Sequence, residues 1–121
     1  MSRYALFLAA VTCALAAVPA TAGSQFAGSP TSREMTWILH HQELVRGRLK
    51  DGKSAEFRNQ YVSRAGGAPI VCGEVNAKNS FGAYAGFERW IGAEPAIGVV
   101  LESDFATGEF APVWAKYCAQ R

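Results

Sequence analysis

The hydrophobic and polar positions between residues 31 and 49 repeat with a helical period. Apolar or uncharged side chains would share one face: Met35, Ile38, Leu39, Gln42, Val45 and Leu49. Thr31 and Glu34 have the spacing of a capping box, in which two side chains bind backbone amides at a helix start. The pattern predicts a helix with one broad buried face. Trp37 and Leu44 lie off that face, which predicts either burial on two sides or a ring shown to a partner.

After a break at the Asp51-Gly52 pair, the period changes to two residues, which is typical of strands. The predicted strands are residues 56–64, 70–77, 83–91 and 96–101. The fourth strand is apolar throughout, which favours a central strand or one covered on both faces. Residues 110–118 return to a helical spacing, and Pro112 fits such a helix only in its first turn.

These elements predict an α+β fold in the order α-β-β-β-β-α. The connections between the strands are short, which favours a four-stranded antiparallel sheet with the first helix packed on one face and a short helix at the end. The chain has no internal repeats, and residues 31–121 are interpreted as a single domain. A domain of this size gains only a narrow margin of stability from burial alone.

The first residues have the features of a secretory signal peptide. Arg3 precedes an apolar run at residues 4–18, and an Ala-x-Ala cleavage site ends at Ala22. Residues 1–22 are therefore predicted to be a signal peptide. Residues 23–30 are rich in Gly and Ser and are predicted to be a flexible leader.

This signal predicts export to the periplasm or to the cell exterior. The apolar run is shorter than the roughly 20 residues that span a membrane, so no membrane span is predicted in the mature chain. A lipoprotein anchored at Cys13 is the alternative. Thr12 argues against it, because a lipid-modified cysteine follows a small residue such as Gly or Ala.

The charge of the chain argues against nucleic acid as a partner. Lys and Arg number 12 against 10 Asp and Glu, and Arg3 would leave with the signal, so the mature chain is close to neutral. No block of Lys and Arg is present to neutralise phosphates.

Cys72 and Cys118 are the two cysteines that remain once the signal is removed. In an oxidising compartment an even pair of this kind is predicted to form a disulfide, which would fasten the last helix to the second strand. Chain entropy alone gives such a bond about 4 kcal/mol of stabilisation. That is a large share of the stability of a small domain.

Two segments are similar to sequences of a known family. Residues 49–59, LKDGKSAEFRN, resemble a Leu-Lys-Asp-Pro-x-Ser-Ala-x-Phe-Arg-Asn segment. Residues 71–91 resemble a Val-Cys-Gly-x-Val-Asn-Ala-Lys-Asn-Ser-Phe-Gly-x-Tyr-x-Gly-Phe-x-Arg-Phe segment, and both occur together in a family of small exported bacterial proteins. Gly52 stands where that family often has proline. The resemblance implies one exported domain, and it transfers no catalytic residue or cofactor.

His40 and His41, with Glu43, form the only cluster of histidines. Adjacent residues diverge by about 100° around a helix, whereas helical metal sites use ligands three or four residues apart. A zinc site would have to recruit Glu74 or Asp104 from elsewhere. The expectation is a solvated helix face, with no metal and no cofactor.

An enzyme is the alternative to a binding protein. Cys72 could act as a thiol nucleophile, with Gly73 after it allowing close approach of a substrate, but the predicted disulfide leaves no thiolate. Glu74 and Glu88 could face each other on neighbouring strands and act as an acid and base pair. The alternative is therefore a small periplasmic glycan or peptide hydrolase. No catalytic residue is assigned.

The dense aromatic and basic content of residues 78–90 favours a binding surface. Alternation along a strand would place Phe81 and Phe87 on one face and Tyr84 and Trp90 on the other. Exposed aromatic rings beside arginine dominate protein interfaces. The predicted surface consists of Lys78, Asn79, Ser80, Tyr84, Arg89 and Trp90. The sequence therefore favours an exported, non-catalytic binding protein, an inhibitor, accessory subunit or adaptor, that binds a protein or an envelope polymer.

Overall fold

A computed structural model describes residues 29–119. The elements are α1 (Ser32–Arg48), β1 (Glu56–Ser63), β2 (Ile70–Asn76), β3 (Glu88–Ala93), β4 (Gly98–Leu101) and α2 (Phe110–Tyr117), with single turns of 3₁₀-helix at Gly52–Ser54 and Glu102–Asp104. The predicted succession of a helix, four antiparallel strands and a short helix is confirmed within this range. The predicted signal peptide and residues 23–28 of the predicted leader lie outside the described residues. Neither α-helix of residues 29–119 is long and apolar enough to cross a membrane.

The sheet has the order β1-β2-β3-β4, so each strand pairs with its neighbour in sequence. The pairing of β1 with β2 shifts between Arg58 and Tyr61, which makes a bulge in β1. Asn59 lies at this bulge with φ of 53°, in the left-handed region that asparagine tolerates better than most residues. Its side-chain amide donates to a Glu74 carboxylate oxygen at 2.5 Å. The bulge thus directs a side chain from β1 onto β2.

Strands β3 and β4 begin later than the sequence predicts. Of residues 83–87, Tyr84 forms an isolated bridge with Lys78 and residues 85–87 have no regular structure, so β3 begins only at Glu88. Residues 94–97 form a turn, in which the amide of Ile97 donates to the carbonyl of Ala93 at 3.0 Å, and β4 begins at Gly98. At residues 94–97 a hydrogen-bonded turn therefore takes the place of the first residues of the predicted β4.

Helix α1 begins with the predicted capping box. The hydroxyl of Thr31 accepts from the amide of Glu34 at 3.2 Å, and the carboxylate of Glu34 accepts from the amide of Thr31 at 2.8 Å. The buried face of the helix is centred on Ile38, His41 and Val45. This corrects the predicted stripe in two respects. Met35 and Leu39 are 42% and 52% exposed, whereas Trp37 and Leu44 pack against the core.

The sheet has a hydrophobic cluster on each face. The first lies under α1 and contains Val71, Val75, Trp90, Val99 and Leu101 from the strands. The second lies on the opposite face and contains Ile70, Cys72, Ile91, Phe110 and Cys118. Strand β4 contributes to both, since Val100 packs against the second cluster, as expected for a strand covered on both faces.

Helix α2 is fastened to the sheet by covalent and polar contacts. The predicted disulfide between Cys72 and Cys118 is present, with Cα atoms 5.9 Å apart across 46 residues of sequence. The hydroxyl of Tyr61 donates to the carbonyl of Cys118, and that of Ser63 donates to the carbonyl of Tyr117. Strands β1 and β2 together therefore hold the end of α2.

Candidate functional site

Trp90 was predicted to be part of the binding surface, but the structure places it in the core. Its side chain is fully buried in the cluster under α1, with its ring centroid 6.1 Å from that of Phe57. A Cβ at Gly73, its partner in β2, would lie 2.9 Å from the indole nitrogen, so glycine is needed there to admit the ring. The prediction was wrong because it ran the alternation through residues 84–87, which are not in a strand.

Arg89 is directed to the face of the sheet that carries α2. Its Nε and one terminal nitrogen each donate to the carboxylate of Glu102 at 3.0 Å, and its backbone amide donates to the same group at 3.2 Å. These hydrogen bonds hold the pKa of Glu102 below its ordinary value. The guanidinium carbon lies 5.2 Å and 5.3 Å from the ring centroids of Phe110 and Trp114. Arg89 thus joins β3 to α2.

The remaining predicted residues come together in one turn, residues 78–85, which we call the Phe81 turn. Asn79 organises it: its amide donates to the carbonyl of Ala83 at 2.9 Å, and its carbonyl accepts from Gly82 at 3.0 Å. The side-chain oxygen of Asn79 also accepts from the amides of Phe81 at 2.9 Å and Ala83 at 3.3 Å. Gly82 has φ of 76°, which a turn of this shape requires. The backbone of the Phe81 turn is therefore extensively hydrogen-bonded.

The Phe81 turn is also fastened to the 3₁₀ turn that precedes β1. The hydroxyl of Tyr84 donates to the carbonyl of Ser54 at 3.0 Å, and the hydroxyl of Ser54 accepts from the amide of Lys78 at 2.8 Å. Partial burial, followed by the nearby carboxylate of Glu56, raises the pKa of Tyr84, so the phenol keeps its proton. At the base of the turn, the side chain of Asn76 accepts from Gly86 at 3.1 Å.

Phe81 occupies the apex of this turn and is 94% exposed. The sequence interpretation missed it, because alternation grouped it with Phe87. Phe87 is half-buried and lies under the guanidinium of Arg58, 3.6 Å from its ring centroid. One signal could have identified Phe81: it stands between Asn79-Ser80 and Gly82, at the centre of a turn, where a side chain has no strand neighbour to pack against.

The two arrangements considered for hydrolysis are not formed. Cys72 is buried in the disulfide, so it supplies no thiolate, and Gly73 makes room for Trp90 and not for a substrate. Glu74 pairs in register with Arg89, and Glu88 pairs with Val75 in the next position, so the two carboxylates point to opposite faces of the sheet. Hydrogen bonds from Asn59 first, and then from Arg58, lower the pKa of Glu74, which keeps it ionised.

The two adjacent histidines have different environments. His40 contacts the carboxylate of Glu94 at 2.5 Å. His41, expected on a solvated face, is fully buried against Gly92, and its Nδ1 lies 2.8 Å from the carbonyl of Trp37. Between residues 29 and 119, no three side chains of His, Cys, Asp or Glu are grouped closely enough to hold a metal ion.

The burial of His41 makes the stability of the protein depend on pH. Burial lowers its pKa below the ordinary value of 6.5, so the unfolded chain binds a proton more readily than the folded protein. The stabilisation is fully present above pH 6.5 and is lost as the pH falls from there towards the lower pKa of the folded state. We expect the free energy of unfolding, measured by urea denaturation, to fall between pH 6.5 and 5 by up to about 1.4 kcal/mol per pH unit.

Two variants assign this pH dependence to a residue. His41→Gln is expected to lose it, whereas His40→Gln is expected to keep it. The pKa values of the carboxylates of Glu74 and Glu102 lie below their ordinary value of 4.5. Their protonation therefore changes the stability of the protein at a lower pH than that of His41 does. An unchanged slope in His41→Gln between pH 6.5 and 5 would contradict the assignment.

No protein-family model matches the chain, and no curated protein or solved structure matches it either. A function therefore has to be inferred from the structure of the chain itself. Of the predicted surface residues, Lys78, Asn79, Ser80 and Tyr84 lie together in the Phe81 turn. Trp90 is buried, and Arg89 contacts α2. Phe81 is an exposed residue of this turn that the prediction did not include.

Proposed function

We propose that the protein is an exported, non-catalytic binding protein that engages a protein partner through the Phe81 turn. The observation that carries the proposal is a phenylalanine 94% exposed at the apex of a hydrogen-bonded turn. Removing a Phe side chain from water stabilises a complex by about 1.5–3 kcal/mol, so a ring left in water is favourable to bury against a partner. Aromatic anchors of this kind are enriched among the residues that dominate binding energies.

The hydrogen bonds of the turn strengthen this proposal. A loop that orders only on binding loses conformational entropy, and that loss reduces the affinity. Here Asn79 and Ser54 already hold the backbone in one shape through their contacts with Phe81, Ala83 and Lys78. The ring is thus presented in advance, which is the property expected of an anchor that enters a preformed pocket.

The side chains around the ring give the surface the composition of an interface. Tyr84 is 43% exposed, and Lys78 and Ser80 are exposed beside it. The ammonium of Lys78 lies 5.8 Å from the centroid of the Tyr84 ring. An apolar centre with a polar rim is the usual arrangement of a protein interface. The partner's pocket is therefore expected to be apolar at its centre, with an acceptor or carboxylate near Lys78.

Two observations support export and an oxidising compartment. The disulfide between Cys72 and Cys118 is of a kind that persists outside the cytosol. The likeness of residues 49–59 and 71–91 to small exported bacterial proteins points to the same location. Inhibitor, accessory subunit and adaptor are the roles compatible with a binding surface of this kind.

Site-specific crosslinking tests the proposal directly. A photoreactive phenylalanine analogue placed at position 81 is expected to form an adduct with one protein in an envelope extract, because the ring would lie inside the partner's pocket. The same analogue placed at position 39 is the matched control, since Leu39 is also exposed, at 52%, but lies on α1. Sedimentation with purified peptidoglycan, run in parallel, tests an envelope polymer as the partner.

The affinity for the crosslinked protein then measures the contribution of Phe81. Phe81→Ala is expected to weaken binding by about 2 kcal/mol or more, which is about thirtyfold, as for other aromatic anchors. Its unfolding midpoint should match that of the wild type, because the exposed ring contributes little to folding. Leu39→Ala should bind normally. An unchanged affinity in Phe81→Ala, or equal crosslinking from position 39, would reject the Phe81 turn as the binding surface.

A further inference from the structure

An open apolar groove lies on the face of the sheet that carries α2. Helix α2 has only eight residues and leaves part of this face uncovered. The floor of the groove is formed by Ile91 and Val100, which are paired across β3 and β4. Val113 and Tyr117 form the wall on the side of α2, and Ile97, 62% exposed, lies in the turn that borders the groove. The cavity has a volume of about 320 Å³, within the range of small-molecule sites.

The lining of the groove identifies the kind of molecule that would fit it. Among the described residues that line the groove none is charged, and the hydroxyl of Tyr117 is the only polar side-chain group. A peptide or a sugar would bury amide or hydroxyl groups here without hydrogen-bond partners, which opposes binding. A hydrocarbon chain has no such groups and gains from leaving water. The lining therefore selects for an aliphatic chain.

A positive charge stands next to the groove. The ammonium of Lys116 lies 5.1 Å from the ring centroid of Tyr117, which is one of the lining residues. Within residues 29–119, no carboxylate lies at ion-pair distance from this ammonium. Lys116 is exposed and contacts the groove through the Tyr117 ring, which places its ammonium within reach of an anionic group on a molecule bound there.

We infer that the groove binds the chain of a single-chain anionic amphiphile, of the chemical class of a fatty acid, with its head group at Lys116. This site is separate from the Phe81 turn and does not depend on the function proposed for it. The apolar floor of the groove would select for the length of the chain, and the ammonium of Lys116 would select for a negatively charged head group. Each methylene added within the groove is expected to strengthen binding about fourfold.

Titration calorimetry with sodium octanoate and sodium decanoate, below their micelle concentrations, tests the inference. Decanoate is expected to bind once per chain, and about fifteenfold more tightly than octanoate because of its two extra methylenes. Lys116→Gln should weaken decanoate binding by up to about fivefold, as for an exposed ion pair, and leave binding of decanol unchanged. Lys53→Gln, at another exposed lysine, is the matched control and should bind as the wild type does.

Two blocking variants locate the chain in the groove. Ala96→Trp and Ala68→Trp add bulk at exposed positions that line it from different loops, and either should abolish decanoate binding while keeping the unfolding midpoint. Phe81→Ala should bind decanoate normally, which separates this inference from the function of the turn. Normal decanoate binding by both folded blocking variants, or no binding by the wild type, would overturn it. Self-association of the wild type that is lost in Ala96→Trp, without decanoate binding, would instead assign the groove to a second copy of the chain.

Discussion

Replacing Cys72 and Cys118 together by alanine is expected to lower the free energy of unfolding by about 4 kcal/mol. The disulfide closes a loop across 46 residues of sequence, and opening a loop of that length restores much conformational freedom to the unfolded chain. Against a total of about 5–15 kcal/mol for an ordinary domain, this is the largest single effect that we expect. Urea denaturation followed by tryptophan fluorescence measures it.

Chemical reduction of the wild type distinguishes the stability that comes from the disulfide bond from the stability that comes from packing of the two side chains. Both sulfurs are buried, so the alanine variant also loses side-chain volume, whereas reduction leaves every atom of the two side chains in place. The reduced protein should lose most of the same stability, and α2, which is held by the bond, should become accessible to protease first. A reduced protein with the unfolding midpoint of the oxidised one would show that α2 is held by its other contacts.

Gly92→Ala is expected to destabilise the protein by about 1–3 kcal/mol, as overpacking of a core does. A Cβ at this position would lie 2.3 Å from Cδ2 of the His41 ring, which is fully buried between α1 and β3. Because the ring is fully buried, it has no exposed side to which it can turn, and we expect α1 to shift away from β3. Chemical denaturation gives the free energy, and the NMR signals of His41 report the displacement.

Gly47→Ala is the matched control for this substitution. Gly47 lies in α1, and a Cβ there would meet nothing within 4 Å. Since alanine favours a helix over glycine, this variant is expected to be more stable than the wild type by about 0.5–1 kcal/mol. Equal stability of Gly92→Ala and the wild type would mean that His41 does not pack tightly on β3.

The elements that depend on local sequence could be predicted. The capping box of Thr31 and Glu34 defines the start of α1, because both groups that it joins are within one turn of the chain. The alternation of residues 56–64 and 70–77 predicts β1 and β2, since successive side chains of a strand point to opposite faces of the sheet. The disulfide was predicted because Cys72 and Cys118 are the two cysteines that remain outside the predicted signal peptide.

Features that depend on contacts distant in sequence could not be predicted. The burial of His41 requires the absence of a side chain at Gly92. The sequence near residue 41 gives no sign of this requirement, because Gly92 is distant in the chain. The position of Trp90 requires the starting point of β3, which is displaced by the hydrogen bonds that Asn79 makes in the Phe81 turn. Because residues 85–87 are not in a strand, the alternation cannot be carried from Tyr84 to Trp90, and the buried ring was grouped with an exposed one.

The bulge in β1 has a consequence for the protein at high concentration. A regular outer strand offers a row of unpaired backbone groups to other copies, and lateral growth of the sheet leads to aggregation. In β1 that row is interrupted between Arg58 and Tyr61, where Asn59 takes its left-handed conformation and Arg58 places a charge. The other outer strand, β4, offers only four residues. Both edges of the sheet are unpaired within residues 29–119, and we expect these two features to oppose cross-β association there.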